Sequence, residues 1–284
     1  MKQAGLAKRV IEALQLEGQP PAGSPAKGFL PLGKEGELAH GSCSYASAAG
    51  MLQHLHGHSR PGISFAASQA ARYARAPKRP HEIALERAGR CLKGTAEEGT
   101  IFKPNAKPEN LKIGAYADAD FASGWGTEDG SSPGSAKPRA GCAAELMGCP
   151  AAWCSKLQAS IAQPTMEAEH TALSMPLRAA IPLLEATKAI AAGLSQLAKH
   201  RLATFKATAH GGSQGALSLA TSPAGRGTPR SKLYALKLHW LRSWLEPKAV
   251  EIACCKPEDQ KADFLTKSMP TPACKANRKL PVGW

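Results

Sequence analysis

Residues 111–125, LKIGAYADADFASGW, constrain the fold more than any other stretch of this chain. Their first half, LKIGAY, alternates between two sets of side chains, and a period of two is typical of a β-strand. The predicted strand ends at Asp118 and Asp120. A carboxylate at the end of a core strand is held rigidly yet open to solvent, which suits a hard cation such as Mg²⁺. Because Asp also favours turns, an ordinary strand-to-turn role is the alternative.

Further carboxylates lie far along the chain. Glu167 and Glu169 occur in QPTMEAEHTALSM, where the spacing predicts a helix that opens at Pro164 or Thr165, with Thr165 as a reasonable N-cap. Asp263 occurs in PEDQKADFLTKSM, another short run with helical spacing. A strand Asp, a helix Glu and a late Asp could converge on one metal site, although spacing alone does not require it.

Four blocks of the sequence follow the order and spacing of one family: YADADFASGW, WCSKLQASIAQPTMEAEHTALS, TPRSKLYALKLHWLRSWL and EDQKADFLTKSMP. Together they resemble the ribonuclease H region at the end of the Pol polyprotein of copia-type LTR retrotransposons. The first third of the chain, which includes SYASAAGMLQHLHGHSRPGISFAASQAARYARAPKRPHE, resembles the end of that family's reverse transcriptase and its connection to ribonuclease H.

The resemblance implies an α/β fold, with a ribonuclease H-like mixed five-stranded sheet, flanking helices and a small helical connection segment before it. It divides the chain into three parts. Residues 1–108 would be a mainly helical remnant of the reverse-transcriptase C-terminus. Residues 109–270 would be the ribonuclease H-like domain, and residues 271–284 a basic, mobile tail.

Periodicity and turn signals predict the elements of both parts. In the first part, residues 19–42 are an expected irregular linker, and helices are expected at residues 1–18, 45–55, 64–76 and 80–92. In the second part, strands after the first are expected at residues 139–147, 151–157, 203–209 and 248–254. Helices there are expected at residues 165–179, 182–200, 226–245 and 257–267.

The resemblance also implies which residues carry the chemistry. Asp118 matches the family's first-strand Asp, Glu169 its helix Glu and Asp263 its late Asp, so these three are the expected catalytic residues and ligands of Mg²⁺, or of Mn²⁺ in its place. Asp120 and Glu167 belong to the motifs without being expected ligands. Ribonuclease H enzymes cut the RNA strand of an RNA–DNA hybrid, and two metal ions activate the attacking water and stabilise the leaving oxygen.

The chain departs from the family at HGGSQGALSLA. There the family commonly has Asp-Asn, whereas this chain has Gly212 and Ser213. A shifted alignment does not restore the carboxylate, because no Asp or Glu occurs between Glu185 and Glu246. Each loss of about 1.4 kcal/mol of transition-state stabilisation lowers a rate tenfold. We therefore expect an impaired or inactive nuclease.

The net charge of +14 and the high isoelectric point favour a polyanionic partner. The resemblance implies an RNA–DNA hybrid or another nucleic acid, with the rest of a Pol polyprotein as a further partner. The family's basic helix would contact phosphates through Arg230, Lys232, Lys237 and Arg242, and an ordinary amphipathic helix is the alternative. Two other functions stay open: a non-catalytic nucleic-acid-binding module, and a decayed retroelement relic.

Several classes of function are disfavoured by what the sequence lacks. No Asp-Asp dipeptide occurs, so we expect no polymerase active site. The eight cysteines form no CxxC pair, so neither a zinc ribbon nor a CxxC redox motif is expected. No secretory signal is recognised before them, which favours reduced, mostly structural thiols in an intracellular protein, cytoplasmic or nuclear. No apolar run is long enough to span a membrane. His54, His56 and His58 are interpreted as packing residues and not as metal ligands.

Overall fold

The computed structural model describes residues 1–27, 36–41, 44–104, 110–122, 124–125, 134–162, 165–198, 204–221, 235–245 and 250–282. The helices are α1 Ala4–Ala13, α2 Tyr45–His58, α3 Ser64–Arg72, α4 Arg79–Lys93, α5 Thr165–Ala198, α6 Gln214–Thr221, α7 Ala235–Leu245 and α8 Thr271–Val282. The strands are β1 Asn110–Asp120, β2 Arg139–Leu146, β3 Cys149–Leu157, β4 Thr204–Gly211 and β5 Val250–Cys254. Short 3₁₀ helices occupy Pro61–Ile63, Pro257–Asp259 and Asp263–Leu265.

The five strands form one mixed sheet in the order β3-β2-β1-β4-β5. β2 is antiparallel to both β1 and β3, while β4 is parallel to β1 and β5 is parallel to β4. The chain passes through α5 before β4 and through α6 and α7 between β4 and β5, and these three helices contribute to one core on the sheet. This arrangement is a ribonuclease H-like sheet, and the predicted fold class is confirmed.

The alternation read from β1 is present in the structure. Ile113, Ala115 and Ala117 are almost fully buried and belong to the core that packs against α5. Leu173 and Leu177 of α5 fill that core. Since successive side chains of a strand point to opposite faces, Asp118 and Asp120 follow on the face away from this core.

α5 corrects one expectation. Two helices separated near residue 180 were predicted, but the structure has a single helix of 34 residues with Pro176 and Pro182 inside it. Each internal proline costs about 3 kcal/mol because it lacks an N–H and its ring clashes with the preceding turn. Burial of Leu177 and Leu184 against the sheet offsets this cost. Even so, no helix among the described residues is long and apolar enough to cross a membrane.

The helices of the first part, α1 to α4, share a second core, and all four were predicted from periodicity. Their fully buried side chains include Val10, Leu52, Leu55, Leu85 and Leu92. This core contacts the sheet at the β2–β3 hairpin, where the indole Nε1 of Trp153 donates to the carbonyl oxygen of His56 at 2.5 Å. The boundary at residues 108 and 109 stays a prediction.

The predicted α-helix at residues 257–267 was wrong. Two 3₁₀ turns, Pro257–Asp259 and Asp263–Leu265, take its place. Between them Gln260 has extended backbone and a buried side chain, whose Nε2 donates to the carbonyl oxygen of Ala117 at 3.0 Å. This hydrogen bond ties the segment to β1 and interrupts the helical path.

The C-terminal segment is also not the mobile tail that was expected. Residues Thr271–Val282 form α8, which packs against β3 and both neighbouring 3₁₀ turns, Pro61–Ile63 and Asp263–Leu265. Cys274 and Arg278 are buried on its inner face. The aliphatic part of Arg278 reaches Gly62, where a side chain would collide with it. A basic composition alone therefore does not make this segment mobile.

Candidate active site

Asp118 lies near the carboxyl end of β1, which is flanked by β2 and β4. On one side Ala117 pairs with Gly211 of parallel β4, so that Gly212 follows directly at the same end of the sheet. On the other side Asp118 itself pairs with Gly141 of β2. The register therefore brings the position that lacks a carboxylate next to the first predicted ligand.

Gly141 explains how the segment with Asp263 reaches β1. A Cβ at this position would lie 2.7 Å from the carbonyl oxygen of Ala262 and 2.9 Å from the Cβ of Leu265. Only a glycine permits that approach. Because the segment packs directly on the sheet, Asp263 lies near Asp118 although they are far apart in sequence.

Thr266 holds this arrangement with a buried hydroxyl. Its Oγ1 lies 2.5 Å from Oδ2 of Asp118 and donates to it. The same oxygen lies 2.9 Å from the carbonyl oxygen of Asp263, a second acceptor. Thr266 is fully buried and Asp118 is partly exposed, so this hydrogen bond is partly shielded from water and orients the Asp118 carboxylate.

Four carboxyl groups, Asp118, Asp120, Glu169 and Asp263, form what we call the acidic cluster. Burial and the nearby charge of Asp263 raise the pKa of Asp118. Burial, followed by the charge of Asp118, raises the pKa of Asp120 to about 6 and that of Glu169 to about 8. The other two predicted catalytic residues, Glu169 and Asp263, thus lie within electrostatic reach of Asp118.

Lys267 is a basic group in the acidic cluster that sequence reasoning missed. Its Nζ forms an ion pair with Oδ1 of Asp263. Burial lowers the pKa of Lys267, but the hydrogen bond and charge of Asp263 outweigh burial and leave this pKa raised. The positive charge of Lys267 offsets part of the rise in the pKa of Asp118 and of Glu169. The spacing of Asp263 and Lys267, four residues apart, was the available signal.

The side chains present suit a divalent cation in their chemistry. Mg²⁺ prefers carboxylate oxygens, and a bound cation would counteract the burial and the repulsion that raise the pKa of Asp118, Asp120 and Glu169. Within the described parts of the chain, however, no group of three or more His, Cys, Asp or Glu side chains is arranged to hold a metal ion. Cation binding would therefore require the side chains of the acidic cluster to close in.

Gly212 has room for a side chain. Among the described residues, the nearest atom to a Cβ built at this position is Nε2 of Gln260, at 3.9 Å. Its backbone is outside the left-handed region that favours glycine. Neither space nor backbone conformation therefore requires glycine here.

Of the four predicted phosphate-binding side chains, the structure describes that of Arg242. Arg242 lies in α7, and its Nε donates to the carbonyl oxygen of Ala220 at 3.4 Å, which links α7 to α6. Arg230 and Lys232 lie outside the described residues, and the side chain of Lys237 does as well. A role for these four residues in nucleic-acid binding stays a prediction.

The three histidines of α2 contact neighbours in their own helical part. His56 lies 2.7 Å from Oε1 of Gln53 and 3.2 Å from Oγ of Ser64. The rings of His54 and His58 stack with centroids 4.2 Å apart. These contacts account for the positions of the three rings.

Comparison with curated proteins finds distant relatives. A retrovirus-related Pol polyprotein from transposon TNT 1-94 of Nicotiana tabacum is 26% identical over 279 residues, which is 95% of this chain and 19% of that protein. A retrovirus-related Pol polyprotein from transposon RE2 of Arabidopsis thaliana is 28% identical over 225 residues, 79% of this chain and 14% of that protein. The chain therefore spans less than a fifth of the length of either relative.

A third relative has a different description. The secreted RxLR effector protein 161 of Plasmopara viticola is 29% identical over 144 residues, which is 51% of this chain and 94% of that protein. No family model matches the chain. No solved structure matches it either.

Proposed function

We propose, from the chain's distant homology to copia-type retrotransposon Pol polyproteins, that it is a ribonuclease H-like domain which cuts the RNA strand of RNA–DNA hybrids at a much reduced rate. One observation carries the proposal. Three carboxylates that are distant in sequence meet around Asp118 at the end of β1 in a ribonuclease H-like sheet: the charge of Asp263 acts on Asp118, and the charge of Asp118 acts on Glu169.

In this proposal Asp118, Glu169 and Asp263 would hold Mg²⁺, or Mn²⁺ in its place. When bound, the metal supplies activation of the attacking water and stabilisation of the leaving oxygen. Thr266 orients the carboxylate of Asp118 by donating a hydrogen bond. Glu169, whose pKa is raised to about 8, must release its proton before its carboxylate can serve as a ligand at neutral pH.

Gly212 is the reason for expecting a reduced rate. It occupies the strand end beside Asp118, where the resemblance implies a carboxylate, and it has no side chain to offer a cation. Since about 1.4 kcal/mol of transition-state stabilisation corresponds to a factor of ten, loss of one ligand is expected to cost orders of magnitude in rate.

Cleavage of a labelled RNA–DNA hybrid with Mg²⁺ tests both parts of this proposal. We expect slow cleavage that Asp118→Asn abolishes and that Gly212→Asp accelerates. Asp259→Asn, which changes an exposed carboxylate in a neighbouring 3₁₀ turn, is the matched control and should leave the rate unchanged. Fast turnover by the unmodified chain would contradict impairment. Failure of Gly212→Asp to produce any cleavage would count against nuclease descent of the site.

A second candidate function is nucleic-acid binding without catalysis, which the net charge of +14 favours. Contacts with phosphates release counterions, so the affinity should fall steeply with salt and show little dependence on sequence. Filter binding at two salt concentrations without Mg²⁺ tests this function. Salt-sensitive binding by a chain that never cleaves would favour this candidate over the nuclease. Binding that ignores salt would count against it.

A further inference from the structure

Two cysteines face each other across the β2–β3 hairpin. Cys142 of β2 and Cys154 of β3 are direct partners in the antiparallel register. Their sulfur atoms lie 2.7 Å apart, and both thiols are free. Directly opposed residues of antiparallel strands have Cα atoms about 4.5–5.5 Å apart, within the range of about 4.4–6.8 Å that a disulfide spans. The backbone of the hairpin can therefore accept a bond between these residues.

The two thiols differ in access and in acidity. β3 is an edge strand, and Cys154 is partly exposed, whereas Cys142 is buried. The hydrogen bond between the two thiols lowers the pKa of Cys154, and the nearby charge of Lys156 adds to this. The same hydrogen bond, together with burial, raises the pKa of Cys142. Cys154, which is the more exposed of the two residues and has the lowered pKa, is thus the better nucleophile.

We propose that Cys142 and Cys154 form a redox-active dithiol, which a low-molecular-weight disulfide converts into a cross-strand disulfide. The Cys154 thiolate attacks one sulfur of the reagent, whose S–S bond breaks, and one reagent thiolate leaves. Cys142 then loses its proton and attacks the sulfur of Cys154, releasing the second reagent thiolate. The two protein thiols lose two electrons, and the reagent disulfide gains them to become two thiols.

The position of this pair gives the oxidation a defined consequence. Cys142 also pairs with Ala117 of β1, so the dithiol lies in the row of the sheet that immediately precedes the row of Asp118, Gly141 and Ser155. A bond here fixes the edge strand to the strand beside the acidic cluster. The proposal rests on the hairpin alone and does not depend on nuclease activity.

Other cysteines provide internal comparisons. Burial, followed by nearby Cys274, raises the pKa of Cys91, and Cys254 and Cys255 are adjacent in sequence. Neither set has the opposed geometry of the hairpin pair. Cys149, at the start of β3, is a free and partly exposed thiol in the same hairpin.

The experiment uses the full reduced chain and oxidised glutathione. We expect loss of thiols in a titration, a peptide link between Cys142 and Cys154 in mass spectrometry after digestion, and a higher melting temperature that a reductant reverses. Cys149→Ala should still form the link. Cys142→Ala should stop at a stable mixed disulfide of glutathione on Cys154.

Two results would overturn the proposal. One is oxidised protein in which Cys142 and Cys154 remain reduced. The other is a set of links that joins Cys154 or Cys142 to other cysteines in preference to each other. Because the mapping is done on the unmodified chain, the outcome does not depend on whether the variants fold.

Cys154→Ala, on the edge strand, should leave Cys142 unmodified because it removes the attacking sulfur.

Discussion

Burial in the folded chain disfavours ionisation of Asp118, Asp120 and Glu169 and raises the pKa of each. Glu169 is the strongest case, since burial and the charge of Asp118 raise its pKa from 4.5 to about 8. Lys267 supplies a compensating charge but does not cancel these effects. Such a group is a candidate functional residue, because a structure gains nothing in stability from a buried carboxylate without a partner.

This gives a prediction for the dependence of stability on pH. The folded chain binds the Glu169 proton more tightly than the unfolded chain does, so the free energy of unfolding decreases as pH rises from about 4.5 to about 8. We expect a loss of about 1–3 kcal/mol over this range without divalent cations, after allowance for solvent screening. Urea denaturation at both ends of the range measures it. Glu169→Gln should reduce the loss, whereas the exposed change Glu185→Gln on the same helix should not.

The sequence identified some residues of the candidate site better than others. Asp118, Glu169 and Asp263 stand in motifs, so their family pattern was enough to select them. Thr266 and Lys267 were missed because their importance depends on where the segment Asp263–Leu265 packs. That packing is made possible by Gly141, in a different strand. No spacing along the chain reports such a contact between distant segments.

The β2–β3 hairpin shows how local backbone geometry sets an element. Its turn was expected at residues 148–150, but β2 ends at Leu146 and β3 begins at Cys149, which leaves a turn of two residues. Met147 and Gly148 both have positive φ, 55° and 80°. Such a turn matches the twist of the flanking strands. Glycine adopts this conformation without steric cost, and any other residue does not.

We therefore predict opposite effects for the same substitution at two glycines. Gly148→Ala should destabilise the chain by about 1–2 kcal/mol, because alanine is strained at positive φ. Gly193→Ala, at an exposed position inside α5 with nothing near its Cβ, should stabilise it by about 0.5–1 kcal/mol. Chemical denaturation measures both changes. Equal effects at the two positions would contradict the assigned turn.

The errors at the scale of elements have one physical origin. Pro176 and Pro182 are local signals for a break, yet burial of one face of α5 on the sheet overrides them. Residues 257–267 have helical spacing, yet the bond from Gln260 to Ala117 divides them into two 3₁₀ turns. The strands were predicted within about three residues at each end, because their alternation depends only on which face is buried. Where the sequence pattern predicted the wrong helices, contacts with the sheet determined the structure.

Whether the whole molecule unfolds in one step depends on how the helical part is attached to the sheet. Arg139, the first residue of β2, is buried. It donates from Nη1 to Oγ of Ser68 at 2.8 Å and from Nη2 to Oε1 of Gln69 at 2.5 Å. Its guanidinium also lies 5.2 Å from the ring centre of Phe65. These contacts join α3 to the strand that lies beside β1, so both cores should unfold together.

The last prediction concerns this attachment. Arg139→Met should remove the hydrogen bonds to α3, leave Gln69 without this buried partner and destabilise the chain by about 2–4 kcal/mol. The unmodified chain should melt in one cooperative transition, which a decayed relic would not show. Arg139→Met should separate this transition into two. Far-ultraviolet circular dichroism and tryptophan fluorescence, recorded on the same samples, would detect the separation.

Lys206→Met is the matched control, because it removes a lysine whose ion pair with Glu251 is largely exposed. Exposed pairs contribute about 0–1 kcal/mol, so this variant should keep one transition close to that of the unmodified chain. If Arg139→Met also retains a single transition with both probes coincident, the two cores are coupled through the other contacts, such as that of Trp153 with His56. Arg139 would then be a local stabilising residue and not the one that makes unfolding cooperative.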